Sequence, residues 1–157
     1  MKEIKIIENF DDLDTESKYL SHKAKDACNH AHAPYSKFLV GAAVLLDDGS
    51  VVTGCNYENA AFPSGMCAER VAIYAALAQF PDRKIEKLAV VAKKKTSKDL
   101  LPATSCGQCR QVMLEVEHTQ NRQIQIVMQD QDHQWIVAPS AASLLPFSFS
   151  SENLKHS

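Results

Sequence analysis

The sequence predicts an α/β protein: a three-layer αβα sandwich, in which helices cover both faces of one mixed five-stranded sheet. The predicted elements run in the order helix, two strands, helix, strand, helix, two strands and short helix. Such alternation favours a sheet packed between helices. The first two strands are joined by a short turn at 47–50, so they form an antiparallel hairpin and the sheet cannot be purely parallel. With 157 residues and no repeat or linker, we expect a single domain, 1–157.

The first elements are a helix and a hairpin. Apolar residues recur at helical spacing from about residue 11 to residue 32, and Pro34 ends this pattern because proline disfavours helix in the residue before it. The apolar run 38–46 predicts a strand covered on both faces. The segment 51–55 follows the turn and predicts the hairpin partner of that strand.

A helix predicted over 67–80 is unusual in composition. Its first turn carries Glu69 and Arg70, and the ten residues that follow contain no charge. A helix that is apolar all round is expected to be buried on every side. Burying a charge is costly unless it is paired, so Glu69 and Arg70 need a partner or a function.

The second half of the chain predicts three further strands, one helix and a short terminal helix. The segment 85–92 is an apolar strand, and 106–117 is a helix. Strands 124–128 and 134–137 are joined by a turn at 130–132. A short helix over 140–145 begins at Ser140, which can cap it, and stops at Pro146.

Composition and charge narrow the class of protein. Apolar residues make up 45% and charged residues 23% of the chain, as in ordinary globular domains. The net charge is −2 and no basic face stands out, so we expect no nucleic acid polymer as a partner. No segment has the pattern of a signal peptide or a membrane span, so we expect no membrane and a cytoplasmic location. In that reducing compartment, five cysteines favour metal binding or free thiols over disulfides.

Three cysteines and one glutamate form a metal-site pattern. Cys67 precedes Glu69 by two residues, and Cys106 and Cys109 form a Cys-x-x-Cys pair. Three thiolates leave one tetrahedral position of Zn²⁺ open, as in catalytic zinc sites, and water bound there becomes a nucleophile near neutral pH. Glu69 cannot easily be a fourth ligand, because residues two apart on a helix point away from each other and Cys67 already binds the metal. The Glu69 carboxylate is instead the candidate acid and base. Arg70 is the candidate donor to a thiolate, offsetting the excess negative charge.

Other interpretations of the cysteines remain open. Cys67 alone would more often be a buried core thiol, and Glu69 alone a residue that favours a helix N-terminus. The Cys-x-x-Cys pair is also compatible with a redox pair, or with half of a structural zinc site. Cys55 would then be the fourth thiol, although Cys55 and Cys67 lack the short spacing of zinc ribbons.

The segments Cys-Ala-Glu-Arg at 67–70 and Cys-Gly-Gln-Cys-Arg-Gln at 106–111 resemble the zinc-dependent cytidine deaminases. Segments 33–43, 54–60 and 144–149 resemble further segments of that family in the same order. The resemblance implies a cytidine deaminase-like fold and zinc as cofactor. It also implies hydrolytic deamination of cytidine and 2′-deoxycytidine to uridine and 2′-deoxyuridine plus ammonia, in pyrimidine salvage.

The same resemblance implies substrate contacts and an oligomeric state. Phe38 would pack against the pyrimidine, and Asn56 and Glu58 would bond the ribose 3′-hydroxyl. The Ala68 backbone N–H would bind the ring O2. Small three-cysteine members of the family imply a homotetramer with shared active sites, in which Phe149 approaches the ligand from another subunit.

Two positions depart from the family pattern. Ser105 stands where proline is usual; its carbonyl can still accept from the substrate amino group, but the fixed φ of proline is lost. Phe62 stands where tyrosine is commoner, so any hydrogen bond from that phenol is absent. We expect both changes to leave the zinc chemistry intact and to affect substrate preference.

Three rival functions follow from the same residues. A deaminase of a modified cytosine nucleoside, such as blasticidin S, would share the metal motifs and differ in its sugar contacts. A nucleic-acid-editing deaminase would need a basic channel for the strand, which the sequence lacks. A non-catalytic zinc-binding module would use the cysteines without the acid and base.

Overall fold

Within the described part of the chain, one mixed sheet of seven strands forms the middle layer. The computed structural model describes residues 2–155. The sheet order is β1-β7-β6-β4-β2-β3, and β5 pairs with β4 beside this path. The β4 and β6 strands are parallel, and the other pairs are antiparallel. The strands are β1 (Lys5–Ile7), β2 (Phe38–Leu46), β3 (Val51–Cys55), β4 (Ile85–Lys94), β5 (Leu100–Leu101), β6 (Gln125–Gln129) and β7 (Trp135–Ala138).

The mixed character of the sheet and the β2–β3 hairpin are confirmed, but the predicted number of five strands is wrong. The two strands that sequence analysis missed are β1, with three residues, and β5, with two. Segments this short contain too little alternation of apolar and polar residues to predict a strand.

The helices are α1 (Thr15–Ala27), α2 (Ala68–Gln79) and α3 (Gly107–Gln120). The α1 helix is shorter than predicted because the Asp14 side chain caps it, accepting from the Ser17 N–H at 2.8 Å, and because the chain tightens into a 3₁₀ turn after Ala27. The helix predicted at 140–145 is also a 3₁₀ turn, Ala142–Leu144. Measured by length and hydropathy, no helix within residues 2–155 could span a bilayer.

The two faces of the sheet carry separate hydrophobic cores. On one face α1 packs Leu20 and Ala24 against odd-numbered strand residues such as Ala43. On the other face α2 and α3 pack Ile73 and Met113 against the even-numbered residues. Side chains alternate between the faces of a strand, so one apolar strand such as β2 supplies both cores. The predicted three-layer αβα sandwich is confirmed.

Within the single chain the α2 helix is buried on one side only. Ala72, Ile73 and Ala76 are buried against the sheet, while Tyr74 and Ala78 are exposed on the outward face. That outward face carries no charge, although it meets solvent in one chain.

Candidate active site

The N-terminal ends of α2 and α3 bring three sulfur atoms together. Cys67 is the N-cap residue of α2, Cys106 is the N-cap residue of α3, and Cys109 lies in the first turn of α3. The Cys106 Sγ lies 4.0 Å from the Cys67 Sγ and 3.5 Å from the Cys109 Sγ. All three sulfurs lie within 4.8 Å of one another. The predicted convergence of these thiols is therefore present in the fold.

These separations fit a zinc ion. Zn–S bonds of about 2.3 Å at tetrahedral angles place sulfurs about 3.8 Å apart. Within residues 2–155, no other His, Cys, Asp or Glu atom joins this cluster, so one tetrahedral position is left for a non-protein ligand. The four-cysteine alternative fails because Cys55, at the end of β3, lies outside the cluster. A three-thiolate Zn²⁺ site matches the sulfur geometry.

The environment of Cys67 favours its thiolate form. Hydrogen bonding from Cys109, with Arg70 as a second donor, lowers the pKa of Cys67 to about 5. The Arg70 guanidinium donates from Nη2 to Cys67 Sγ at 3.3 Å, where sequence analysis expected a charge-compensating donor. The pKa of Cys109 is raised because it donates to Cys67 and is buried. The site is thus already polarised toward holding negative charge on sulfur.

Glu69 lies in the first turn of α2, and only 4% of it is exposed. Burial raises the pKa of its carboxyl, and negative charge on Cys67 adds to this effect. The Ser105 hydroxyl donates to Glu69 Oε2 at 2.8 Å. No sequence pattern predicts this contact. The role predicted for Ser105 rests on its carbonyl, which here accepts from Arg110 Nε at 2.8 Å.

An open cavity of about 1010 Å³ lies in front of these groups. Phe149 does not line it: 58% of Phe149 is exposed, and its carbonyl accepts from Gln111 Nε2 at 2.8 Å. Ser105 is buried and does not line the cavity, although its neighbour Cys106 does. The residues of the predicted site that do line the cavity are Phe38, Asn56, Glu58, Cys67, Ala68, Glu69, Arg70 and Cys106.

Two of the predicted ribose ligands also hold the cavity wall together. The Asn56 side chain donates to the Phe38 carbonyl and accepts from the Val40 N–H, both at 2.9 Å. Glu58 Oε1 accepts from the backbone N–H groups of Tyr35 and Ser36, at 3.0 and 3.1 Å. An amide and a carboxylate retain further donor or acceptor capacity after such bonds. Asn56 and Glu58 can therefore shape the cavity and still meet a ligand.

Aromatic residues around the cavity were not singled out as a group by sequence analysis. Tyr57 stacks on His32 with ring centroids 4.4 Å apart. Tyr35 meets Phe62 edge to face at 5.8 Å. These residues come from loops, where no hydrophobic period predicts a face. Two signals were available: Tyr57 stands between Asn56 and Glu58 in the family-like segment, and Phe62 stands where tyrosine is commoner.

Comparison with known proteins agrees with this site. The family model of the cytidine and deoxycytidylate deaminase zinc-binding region matches residues 14–125. A cytidine deaminase of Sporosarcina psychrophila is 38% identical over 134 residues, which cover 85% of this chain and 91% of that protein. A cytidine deaminase of Mycobacterium tuberculosis is 43% identical over 102 residues, or 65% of this chain and 72% of that protein.

Solved structures extend the likeness to the fold. The crystal structure of a cytidine deaminase from Burkholderia pseudomallei aligns with a TM-score of 0.71 and 37% identity, covering 87% of this chain and all of that one. The crystal structure of cytidine deaminase from Mycobacterium tuberculosis aligns with a TM-score of 0.67 and 34% identity, over 87% and 99% of the two chains. With the sulfur cluster and the adjacent buried glutamate, these matches show that the chain belongs to the zinc-dependent cytidine and deoxycytidylate deaminase family.

Proposed function

We propose that this protein hydrolyses cytidine and 2′-deoxycytidine to uridine and 2′-deoxyuridine, releasing ammonia, as a step of pyrimidine salvage. The observation that carries the proposal is the placement of the buried Glu69 carboxyl in the wall of a cavity that also contains Cys67 and Cys106. When bound by Cys67, Cys106 and Cys109, zinc supplies an acidified water at this point of the cavity.

Glu69 is the acid and base of the proposed reaction. Its carboxylate accepts the proton that water loses on adding to C4 of the pyrimidine, and passes it to ring N3. It then carries the remaining proton of the added hydroxyl to the departing amino nitrogen; the C4–N bond breaks, C4 becomes a carbonyl, one water is consumed and one ammonia leaves. The raised pKa of Glu69, caused mainly by burial, suits a carboxyl that must both take and give protons near neutral pH.

The remaining cavity residues would bind and orient the nucleoside. Phe38 is the proposed platform for the pyrimidine, and the Ala68 N–H, at the start of α2, the donor to ring O2. Asn56 and Glu58 would meet the ribose with the atoms not used in holding the wall. The Ser105 carbonyl was expected to accept a hydrogen bond from the substrate amino group. Because Arg110 already donates to that oxygen, the bond from the substrate would have to use the second lone pair of the oxygen.

We also propose a homotetramer with shared active sites, in the cytoplasm. The uncharged outward face of α2 supports the assembly, since a large uncharged helix face is favourable when it is covered. Phe149 lies away from the cavity of its own chain, which leaves a neighbouring cavity as its place of action. A reducing cytoplasm keeps three neighbouring thiols available for metal.

The test is a substrate screen with the purified protein and one pair of variants. Ammonia release and ultraviolet absorbance are followed with cytidine, deoxycytidine, adenosine and blasticidin S, together with zinc content. We expect turnover of cytidine and deoxycytidine. Glu69→Gln should lower turnover by about 10²–10⁴-fold, the usual share of a general acid and base, with zinc retained. Glu115→Gln, at an exposed position of α3, is the control and should be unchanged.

Three outcomes would contradict the proposal in different ways. Release of ammonia from blasticidin S alone would point to a modified nucleoside as the substrate. Bound zinc without ammonia release would indicate a non-catalytic zinc module. Wild-type turnover in Glu69→Gln would remove the acid and base role while leaving the reaction in place.

A further inference from the structure

We infer that Ser105 is a positioning residue for the reaction: its hydroxyl holds the Glu69 carboxyl in the orientation that proton transfer requires. The inference rests on the proposed function, because it presupposes that Glu69 moves the proton. It concerns a residue at which this chain departs from its family, and a hydroxyl that the usual proline at this position could not supply.

The contact is short and shielded from solvent. Ser105 Oγ lies 2.8 Å from Glu69 Oε2, and the two residues are 2% and 4% exposed. An ionised carboxylate can only accept, so the serine hydroxyl is the donor. Hydrogen bonds to charged groups are stronger than neutral ones, and the low dielectric of the interior strengthens them further. The bond therefore limits rotation of the carboxyl group and leaves Oε1 for the reacting proton.

Ser105 is itself fixed from several sides. Its backbone N–H, which a proline would lack, meets the Met128 sulfur on β6 at 3.5 Å. Its carbonyl accepts from Arg110 on α3, and Arg110 Nη1 also donates to the Leu144 carbonyl at 3.3 Å. The hydroxyl thus projects from a backbone held by β6, α3 and the 3₁₀ turn Ala142–Leu144. A donor on such a support keeps its partner in place without reorganisation during the reaction.

Loss of the Ser105 hydroxyl is expected to lower kcat while leaving KM nearly unchanged. Removing the hydroxyl frees the carboxyl to rotate, which lowers the fraction of bound substrate that is aligned for proton transfer. The Ser105 hydroxyl is buried and already donates to Glu69, so it is not expected to contribute to substrate affinity. For Ser105→Ala we expect kcat to fall by about 10-fold or more, as for loss of a hydrogen bond to a charged group, while KM changes by less than about 3-fold.

The experiment compares zinc-loaded wild type with Ser105→Ala, Ser105→Thr and Glu69→Gln, and with the Ser105→Ala/Glu69→Gln double variant. Steady-state kinetics on cytidine, zinc content and urea midpoints are measured for each. Ser105→Thr keeps the hydroxyl and should recover most of the lost kcat. The two single shifts in urea midpoint should not add in the double variant, because Glu69→Gln leaves only a neutral form of the hydrogen bond that Ser105→Ala removes, so both changes act on the same contact. Ser21→Ala, a buried serine on α1 without a hydrogen-bond partner within residues 2–155, is the control and should keep the wild-type kcat.

The possible outcomes distinguish failure of this inference from failure of the proposed function on which it rests. Unchanged kcat in Ser105→Ala, with additive midpoint shifts, would overturn the positioning role while Glu69→Gln stays inactive. Loss of zinc from Ser105→Ala, or a raised KM at unchanged kcat, would equally overturn it, as a structural or a binding role. Wild-type turnover in Glu69→Gln would instead show that the proposed function of Glu69 has failed.

Discussion

Arg70 links the negative charge of the sulfur cluster to the cavity. Its Nη2 donates to Cys67 Sγ at 3.3 Å, and the proposed role of this cation is to balance part of the excess negative charge that three thiolates would leave around bound Zn²⁺. Without that balance, bound water would be harder to ionise, since surplus negative charge disfavours a further anion.

Replacing Arg70 by Gln should therefore lower turnover without emptying the site. We expect kcat to fall by about 10–100-fold, the range for a lost hydrogen bond to a charged group, with zinc mostly retained because the three sulfurs are unchanged. Arg70→Lys keeps the positive charge and should fall less. Kinetics and zinc analysis of the same preparations check the prediction. Equal kcat in wild type and Arg70→Gln would show that Arg70 does not tune the charge of the site.

At the residue scale, the metal cluster could be predicted from the sequence but the Ser105–Glu69 contact could not. Cys67 begins one helix and Cys106 another, and motif spacing alone indicates that such thiols share a metal. The Ser105 hydroxyl and the Glu69 carboxyl are 36 positions apart in the chain, and they meet only because the fold brings the start of α2 next to the segment that precedes α3. No local pattern encodes that placement.

The α2 helix positions the site through its close approach to β3 at Gly54. A Cβ added at Gly54 would lie 2.5 Å from the Ala72 nitrogen and 2.8 Å from the Ala68 carbonyl oxygen, both backbone atoms of α2. Backbone cannot give way as a flexible side chain can, so a larger residue must displace the helix that carries Cys67 and Glu69 at its start.

Gly54→Ala should thus weaken zinc binding as well as the fold. We expect a loss of about 1–3 kcal/mol in the free energy of unfolding from overpacking, and a lower zinc affinity in competition with a chelator. Gly41→Ala is the matched control, because its Cβ would meet the Ala24 carbonyl oxygen of α1 at 1.9 Å, on the opposite face of the sheet. Gly41→Ala should lose stability while its folded fraction keeps wild-type zinc affinity. Equal chelator curves for the two variants would contradict the argument.

The Asp14 carboxyl at the start of α1 makes the stability of the fold depend on pH. Burial of the Asp14 carboxyl opposes ionisation, but hydrogen bonds from Ser17 and the nearby Lys87 ammonium outweigh it and lower the pKa of Asp14 to about 2 from an ordinary 3.8. Lys87 is itself buried, and its Nζ lies 3.2 Å from Asp14 Oδ1. A carboxyl with a depressed folded pKa contributes stability that is complete above its unfolded pKa and is lost as pH falls toward its folded pKa.

Asp14→Asn should separate this charge from the helix cap, since asparagine also caps helices well. At pH 6 we expect the variant to be less stable by about 1 kcal/mol or less, because the half-exposed Asp14 side chain is screened by solvent. The difference between the two proteins should shrink as pH falls from about 4 to about 2. Urea unfolding at several pH values measures it, and a difference that stays constant down to pH 2 would exclude the ionic contribution.

At the element scale, sequence periodicity predicted the long elements and missed the short ones. The β2 strand was predicted with the bounds observed, because its apolar run has turn residues on one side and a polar proline-containing segment on the other. The β1 strand exists only because β7 offers it an antiparallel edge. The β5 strand likewise depends on β4. Such strands are consequences of tertiary pairing and leave no pattern of their own.

One uncharged helix surface of the molecule is not covered by the fold of a single chain. The outward side of α2 presents Val71, Tyr74, Ala75 and Ala78, partly buried or exposed and without charge. Sequence analysis expected this helix to be buried all round, and the fold of one chain covers only its sheet-facing half. The proposed homotetramer accounts for the difference, because a second copy would cover the remaining half. An uncharged helix face of this kind is otherwise a liability for aggregation.

Tyr74→Lys tests this assembly by placing a charge at the centre of the outward α2 face. We expect the wild type to have a mass of about 70 kDa in solution, corresponding to four chains of 17.4 kDa each, and Tyr74→Lys to dissociate into smaller species, because burying an unpaired lysine at an interface is costly. Tyr19→Lys is the matched control: the two tyrosines are 50% and 49% exposed at positions 19 and 74, but Tyr19 lies on α1. Light scattering after size-exclusion chromatography measures the masses, and cytidine turnover should fall together with the mass. A wild type of monomer mass, or a tetramer that survives Tyr74→Lys intact, would show that the face has no such role.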